Sequence, residues 1–172
     1  MKISFLLFGI AMAGCNGCSR KGEVQQVDYS QVQSELIAAN KAQHQQETAR
    51  IEEFIASKKW PMKETATGLH YWIYEPTEGP LAVNGEIAVV SYTSSLLDGT
   101  VCYSTGDSSP AEFLIGQDNV ESGIHEALLL MKSGERARLV LPSHLAFGFT
   151  GDMAKIPQNA ALVYDIHLIQ LK

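Results

Sequence analysis

The sequence predicts a domain of the α+β class, with several antiparallel strands and one short helix, preceded by a polar N-terminal helix. Runs that alternate apolar and polar residues are typical of half-buried strands, and the clearest run lies near the C-terminus. A stretch without Gly or Pro, rich in Gln, Glu, Ala and Lys, favours the preceding helix. At 172 residues the chain has room for one domain and a modest extension.

Residues 30–60 are predicted to form the polar helix, which Pro61 ends. Apolar residues follow helical spacing only near its two ends, and residues 40–50 are almost all polar. Such a helix can be a spacer that holds the domain away from a membrane, or it can pair with another copy of this chain. Alternatively, its last turn docks on the domain through Phe54, Ile55 and Trp60. The broken apolar stripe favours docking, because it is not a sustained heptad.

The domain is expected to span residues 69–172, with residues 60–68 as the link into it. Strands are predicted at residues 69–75, 86–97, 101–104 and 111–115, and the pair Asp98 and Gly99 indicates a tight turn after the second. Ser122 is expected to cap the short helix, with Gly134 just past its end. The buried face of this helix is predicted to consist of Ile124, Ala127, Leu128 and Met131.

Two further strands close the domain. In the last one Leu162, Tyr164, Ile166 and Leu168 share a face, and Asp165 and His167 lie opposite. The loop before it is too long for a hairpin and too apolar for a solvated linker, and loops of that length are often functional. We expect part of the wall of an apolar pocket to consist of Phe147, Phe149, Ile156 and Pro157.

The first residues have the pattern of a targeting segment. In residues 1–14, Lys2 precedes an apolar run too short to span a bilayer, and small residues precede Cys15. This order resembles a bacterial lipoprotein signal. The resemblance implies that residues 1–14 are removed and Cys15 is lipidated. Residues 15–29 would form a flexible tether to a membrane of the cell envelope, with the protein facing the periplasm or cell surface. A redox or metal pair of Cys15 and Cys18 is the alternative, but such a pair needs a fixed scaffold.

Composition excludes several classes of function. The net charge of −6 and the lack of basic runs argue against nucleic-acid binding. The five histidines are too scattered to predict a metal site, and the sequence has no glycine-rich phosphate loop. Cys102 is expected to be a small buried hydrophobic residue rather than a reactive thiol.

Five segments occur in a specific order: VSYTSSLLDGTV, FLIGQDNVESGIHEAL, LMKSGERARLVLP, LAFGFTG and IPQNAALVYDIHLIQL. In order and spacing they resemble the FKBP-type peptidyl-prolyl cis-trans isomerases, over about residues 69–172. The resemblance implies an antiparallel sheet that curls around the short helix, with the pocket between them. It also implies rotation of X–Pro amides in proline-containing polypeptide clients, without a cofactor or a metal.

The resemblance assigns pocket residues position by position. Tyr92, Phe147, Ile156 and Tyr164 would form the walls, where twisting of the amide is catalysed. Val120 and Ile124 would form the floor and bind substrate. Phe147 stands where the family usually has tyrosine, and Tyr164 where it usually has phenylalanine.

Other positions depart from the family pattern. Cys102 and Tyr103 replace a Phe-Asp pair, Ala111 replaces an aromatic residue, Glu121 replaces an isoleucine and Ile124 replaces the floor tryptophan. These replacements resemble the gliding-motility-associated branch of the family. They imply weak or altered isomerase activity, with low affinity for the macrolides that the family binds. Two functions therefore stay open: an isomerase that assists folding of envelope proteins, and a binding or chaperone module that has lost catalysis.

Overall fold

The computed structural model describes residues 29–172. The predicted signal peptide, the lipidation site Cys15 and residues 15–28 of the tether lie outside the described residues. Within residues 29–172 there are two α-helices, seven strands and a single 3₁₀ turn at Ser143–Leu145. In chain order the elements are α1 (Tyr29–Lys58), β1 (Lys63–Glu64), β2 (His70–Glu75), β3 (Ile87–Leu96), β4 (Val101–Ser104), β5 (Ala111–Leu114), α2 (Ser122–Leu128), β6 (Arg136–Leu141) and β7 (Leu162–Leu171).

The strands form one antiparallel sheet in the order β1-β2-β6-β7-β3-β4, and β5 also pairs with β3. Strand β7 lies between β6 and β3, and its Ile166 is opposite Ala137 on one side and Tyr92 on the other. The other edge of β3 is shared, because residues 87–90 pair with β5 and residues 93–95 pair with β4. The segment 105–110 joins those two short strands. This sheet with one short helix packed on it confirms the predicted α+β class.

Helix α2 packs on the face of the sheet that holds the main core. Its Ile124, Ala127 and Leu128 are buried in one cluster with Leu139 and Leu141 of β6. The contact is close at Gly123, where an added Cβ would lie 2.7 Å from Leu141 Cδ2. A larger residue at this position would require Leu141 or the helix to shift. The N-terminal end of α2 is therefore held directly against the sheet.

Helix α1 covers the opposite face of the sheet with its C-terminal half. Ile51 is 1% exposed and is buried together with Val140, Ala161 and Val163, and Phe54, Ile55 and Trp60 pack against them. The prediction that the helix docks through its last turns is confirmed. This docking also explains why Val140, which shares a face of β6 with Arg136 and Arg138, is fully buried.

The N-terminal half of α1 carries exposed apolar side chains, namely Val32, Leu36 and Ile37. Farther along, the carboxylate of Glu47 accepts hydrogen bonds from the backbone N–H and the hydroxyl of Ser143, at 2.6 and 3.0 Å. The helix ends where Lys59 adopts a φ of +56°, two residues before Pro61. Neither α1 nor α2, the helices of residues 29–172, is long and apolar enough to cross a membrane.

Arg138 connects α1 to the sheet. Its guanidinium lies over the rings of Trp60, Trp72 and Tyr74, at 4.8, 5.7 and 5.1 Å from their centroids. Its Nε donates to Asp165 at 3.2 Å, and the Tyr74 hydroxyl donates to the same carboxylate at 2.7 Å. Burial and the hydrogen bond to Asp165 raise the pKa of Tyr74 to about 12.

Three local predictions were wrong. Glu121 occupies the N-cap of α2, and Ser122 lies in the first turn, where its hydroxyl donates to the carbonyl of Leu145 at 3.5 Å. Helix α2 ends at Leu128, and Gly134 instead forms the turn before β6 with a φ of +89°. The predicted link at residues 60–68 contains strand β1, which is too short to show an alternating pattern.

Candidate functional site

A cavity of about 180 Å³ lies between α2 and the sheet. We call it the α2 cavity. Pockets for drug-sized ligands measure about 300–1,000 Å³, so this cavity has room for a single side chain. It is mostly apolar, and its lining residues come from β3, β5, the entry to α2 and β7: Val90, Tyr92, Ala111, Glu112, Phe113, Val120, Glu121, Ile124, Tyr164 and Ile166.

Strand geometry explains how these side chains meet. Tyr92 follows Val90 by two residues and Ile166 follows Tyr164 by two, so each pair faces the same side of the sheet. Strands β3 and β7 are adjacent, and the rings of Tyr92 and Tyr164 lie 5.7 Å apart at an angle of 47°. Ile124, which is 3% exposed, contributes from α2. The cavity thus has three aromatic rings on the sheet side, those of Tyr92, Tyr164 and Phe113, and an aliphatic side chain on the helix side.

One strong polar contact lies at the cavity. The hydroxyl of Tyr164 donates to Glu121 Oε1 at 2.5 Å. Burial and the negative charge of Glu121 raise the pKa of Tyr164, and the same two causes raise the pKa of Tyr92. Because an unperturbed tyrosine has a pKa of about 10, both phenols keep their protons at neutral pH.

The structure brings together four of the six predicted pocket residues, since Tyr92, Val120, Ile124 and Tyr164 all line the cavity. Phe147 and Ile156 belong to the same hydrophobic cluster but are not among its lining residues. Their contribution to catalysis stays a prediction, as do the roles of the other four.

Two loop residues expected in the pocket wall are instead exposed. Phe149 is 66% exposed and lies on a separate groove beside α1, and Pro157 is also exposed. After Phe149 the loop forms a turn around Asp152, whose Oδ1 accepts from the backbone N–H groups of residues 154–156 at 2.7–2.9 Å. This turn directs Ile156 into the core and leaves Met153 90% exposed.

Two positions that depart from the family pattern, Cys102 and Tyr103, contact this loop and do not line the cavity. The Tyr103 hydroxyl donates to Asp152, and this bond, followed by the backbone N–H groups, lowers the pKa of Asp152 to about 2. Lys155 donates to the carbonyl of Cys102 at 2.8 Å and lies over the Tyr103 ring. Cys102 itself is 1% exposed, as expected for a small buried hydrophobic residue, and burial raises the pKa of its thiol.

A serine, an aspartate and a histidine also meet on the sheet outside the cavity. Asp107 accepts from the hydroxyl of Ser91, lies 3.3 Å from His167 Nδ1 and pairs with Arg136 at 3.1 Å. Because the carboxylate stands between the serine and the imidazole, no base contacts the hydroxyl as a catalytic triad requires. The cluster instead fastens segment 105–110 to the sheet. No group of three or more metal-ligating side chains is placed to bind an ion within residues 29–172.

Sequence reasoning missed several lining residues, although the period-2 pattern contained them. Val90, Phe113 and Ile166 each lie two residues from a position already singled out, on the same face of its strand. The bond between Tyr164 and Glu121 was not predictable in this way, because 43 residues separate its partners.

Comparison with known proteins identifies the fold and the family. A family model described as FKBP-type peptidyl-prolyl cis-trans isomerase matches residues 79–169. The structure resembles the crystal structure of FkpA from Escherichia coli, with a TM-score of 0.64 and 27% identity over 83% of this chain and 69% of that one. It also resembles a peptidyl-prolyl cis-trans isomerase from Pseudomonas syringae pv. tomato, with a TM-score of 0.64 and 31% identity over 77% of this chain and 95% of that one.

A relative from Neisseria meningitidis serogroup B is described as a probable FKBP-type peptidyl-prolyl cis-trans isomerase FkpA. It is 32% identical over 152 residues, which cover 87% of this chain and 55% of the relative. The chain belongs to the FKBP-type peptidyl-prolyl cis-trans isomerase family, as the five sequence segments predicted. It spans about half the length of the curated relatives it matches.

Proposed function

We propose that this chain is a peptidyl-prolyl cis-trans isomerase that acts on proline-containing polypeptides. One observation carries the proposal: the family fold here encloses an apolar cavity for one side chain, with Tyr92 and Tyr164 on its sheet side. A proline ring is a ligand of that size and polarity. The reaction is slow without a catalyst, because rotation about a peptide bond has a barrier of about 18–20 kcal/mol.

Catalysis here needs no nucleophile, metal or cofactor. The twisted amide has lost conjugation and is less polar than either planar isomer, so a dry apolar cavity favours it over both. Tyr92, Tyr164, Val120 and Ile124 would contact the proline, and Phe147 and Ile156 would support them from the adjoining core. The protonated phenol of Tyr92 can donate to a substrate carbonyl, whereas the hydroxyl of Tyr164 already donates to Glu121.

The test is exchange NMR on Ala-Leu-Pro-Phe peptides with the purified full-length protein. Tyr92→Ala removes one cavity wall and should lower kcat/KM by about tenfold or more, equivalent to about 1.4 kcal/mol. Tyr74→Ala is the matched control, because it removes a tyrosine that contacts Arg138 and Asp165 instead of the cavity. Circular dichroism establishes that both variants are folded. Wild-type protein that never exceeds the uncatalysed rate would refute the proposal.

A binding or chaperone module is the second candidate. It is favoured by Phe147, which lacks the hydroxyl of the tyrosine usual in the family, and by the Tyr164 hydroxyl, which already donates to Glu121. One missing donor is worth about 0.5–1.5 kcal/mol, or up to about tenfold in rate. Folded protein that binds proline peptides without turnover, and loses binding in Tyr92→Ala, would support this function over catalysis.

We also propose that Cys15 is lipidated and anchors the protein in the bacterial cell envelope. The proposal is supported by the order of a basic residue, an apolar run and a small pair before that cysteine. Metabolic labelling with an alkyne fatty acid should mark the full chain and the Cys18→Ser variant, but not Cys15→Ser. Equal labelling of the two variants would refute the assignment of Cys15.

A further inference from the structure

Two of the residues that line the α2 cavity carry a carboxylate, and their charges are balanced differently. Glu112 accepts from Lys172 Nζ at 2.6 Å and is therefore paired with a cation. Glu121 takes part in none of the ion pairs formed among residues 29–172. Its carboxylate contacts a neutral phenol, that of Tyr164. A negative charge without a cationic partner thus stands at a mostly apolar cavity.

Both the backbone and the side chain of Glu121 hold this charge in position. The backbone of Glu121 forms the N-cap of α2, where its carbonyl accepts from the N–H of Ile124 at 2.9 Å. Its side chain is half-buried and is held by Tyr164 at 2.5 Å. Because the carboxylate is already ordered, a cation that binds it loses little conformational entropy in the protein.

The charge also acts inside the cavity. The carboxylate of Glu121 adds to burial in raising the pKa values of both Tyr92 and Tyr164, which lie on the sheet side of the cavity. The same charge will act electrostatically on any substrate group that binds next to the rings of Tyr92 and Tyr164. When a substrate cation lies a few ångströms from the Glu121 carboxylate and both are partly shielded from water, their attraction is stronger than that of an exposed ion pair.

We propose that Glu121 makes this site select prolines that have a lysine or arginine as neighbour. The inference rests on the proposed function, and it names the class of substrate. When the proline occupies the cavity, the adjacent side chain reaches the carboxylate, which attracts a cation and repels an acidic group. Because Glu121 is one of the departures from the family pattern, this preference would distinguish the chain within its family.

The experiment measures isomerisation by exchange NMR on two peptide series with the full-length protein. One series is Ala-Xaa-Pro-Phe and the other Ala-Leu-Pro-Xaa, with lysine, leucine or glutamate at the variable position. In at least one series lysine should exceed leucine in kcat/KM by about five- to tenfold, and glutamate should be poorest. Salt at about 1 M should reduce the ratio, because it screens the attraction.

The variant Glu121→Gln removes the charge and keeps an oxygen that accepts from Tyr164. It should bring the ratio of lysine to leucine close to one. The matched control is Glu126→Gln, which removes the same charge from the same helix, at a residue that bonds to Thr67 instead. A lysine preference that is absent in both series, or that survives in Glu121→Gln, would overturn the proposal.

Failure of the proposed function has a different signature. If the wild-type protein turns over none of the peptides, the same series is titrated and dissociation constants are taken from chemical-shift changes. Tighter binding of the lysine peptides that Glu121→Gln abolishes would support selection by charge without catalysis. Equal affinities for lysine, leucine and glutamate peptides would refute it.

Discussion

The docking of α1 on the sheet predicts a large loss of stability when Ile51 is truncated to alanine. Ile51 is 1% exposed and packs on Val140, Ala161 and Val163. Removing three carbon atoms costs about 0.8 kcal/mol for each in lost transfer free energy, or about 2.4 kcal/mol in total. The unfilled space adds to this, and buried Ile→Ala changes cost about 2–5 kcal/mol. We expect the free energy of unfolding to fall by about 3 kcal/mol.

The matched control is Ile37→Ala, which makes the same chemical change on the same helix. Ile37 is 61% exposed, so the truncation should change the free energy of unfolding by no more than about 0.5 kcal/mol. Alanine favours the helix over isoleucine by a few tenths of a kcal/mol in both variants. The difference between the two variants therefore reports the burial of Ile51 alone.

The assay is urea unfolding of the full-length protein and both variants, followed by far-UV circular dichroism. One shared transition with equal slopes would allow the midpoints to be converted into free energies. Variants that differ by less than about 1 kcal/mol would refute the view that α1 is an integral part of the domain. A separate unfolding transition at low urea that neither variant changes would also refute this view.

Two further predictions concern pH. The bonds that lower the pKa of Asp152 to about 2 stabilise the fold above the unfolded-state pKa of about 3.9, and that stability is lost as pH falls through about 2. Asp152→Asn should therefore be less stable than wild type at pH 7 and should lose less of its free energy of unfolding on acidification. Urea midpoints of the variant and wild type that fall in parallel as pH decreases would contradict this. Conversely, burial raises the pKa of Tyr164 in the folded state. The protonated phenol therefore contributes its full stabilisation below about pH 10, and this stabilisation is lost as pH rises through the folded-state pKa. Tyr164→Phe should cost about 1 kcal/mol at pH 7 and flatten the alkaline loss of stability, as measured by thermal unfolding; an unchanged alkaline slope would contradict the argument.

Local patterns predicted the strands and turns well, because each depends on neighbours in sequence. The alternation in residues 162–171 defined both faces of β7, and the tight turn at Asp98 and Gly99 forms as expected, with Thr100 N–H donating to the Asp98 carboxylate. Four of the six residues that the family segments assigned to a pocket line the α2 cavity.

Features set by contacts between distant segments could not be predicted in the same way. The burial of Val140 depends on α1, and the course of residues 152–156 depends on the turn around Asp152, which the Tyr103 hydroxyl also bonds. The Tyr103 hydroxyl donates to Asp152, a partner 49 residues away in the sequence. The pattern on a single strand or loop contains no information about such partners.

The arrangement around Arg138 has a practical consequence for spectroscopy. The chain has two tryptophans, Trp60 and Trp72, and both contact that guanidinium on the face of the sheet covered by α1. The α2 cavity lies on the other face and has no tryptophan among its lining residues. Tryptophan fluorescence will therefore report whether the long helix is seated, and no tryptophan is placed to respond directly when a peptide fills the cavity. A tryptophan placed at Ile124 would supply the missing optical signal for ligand binding.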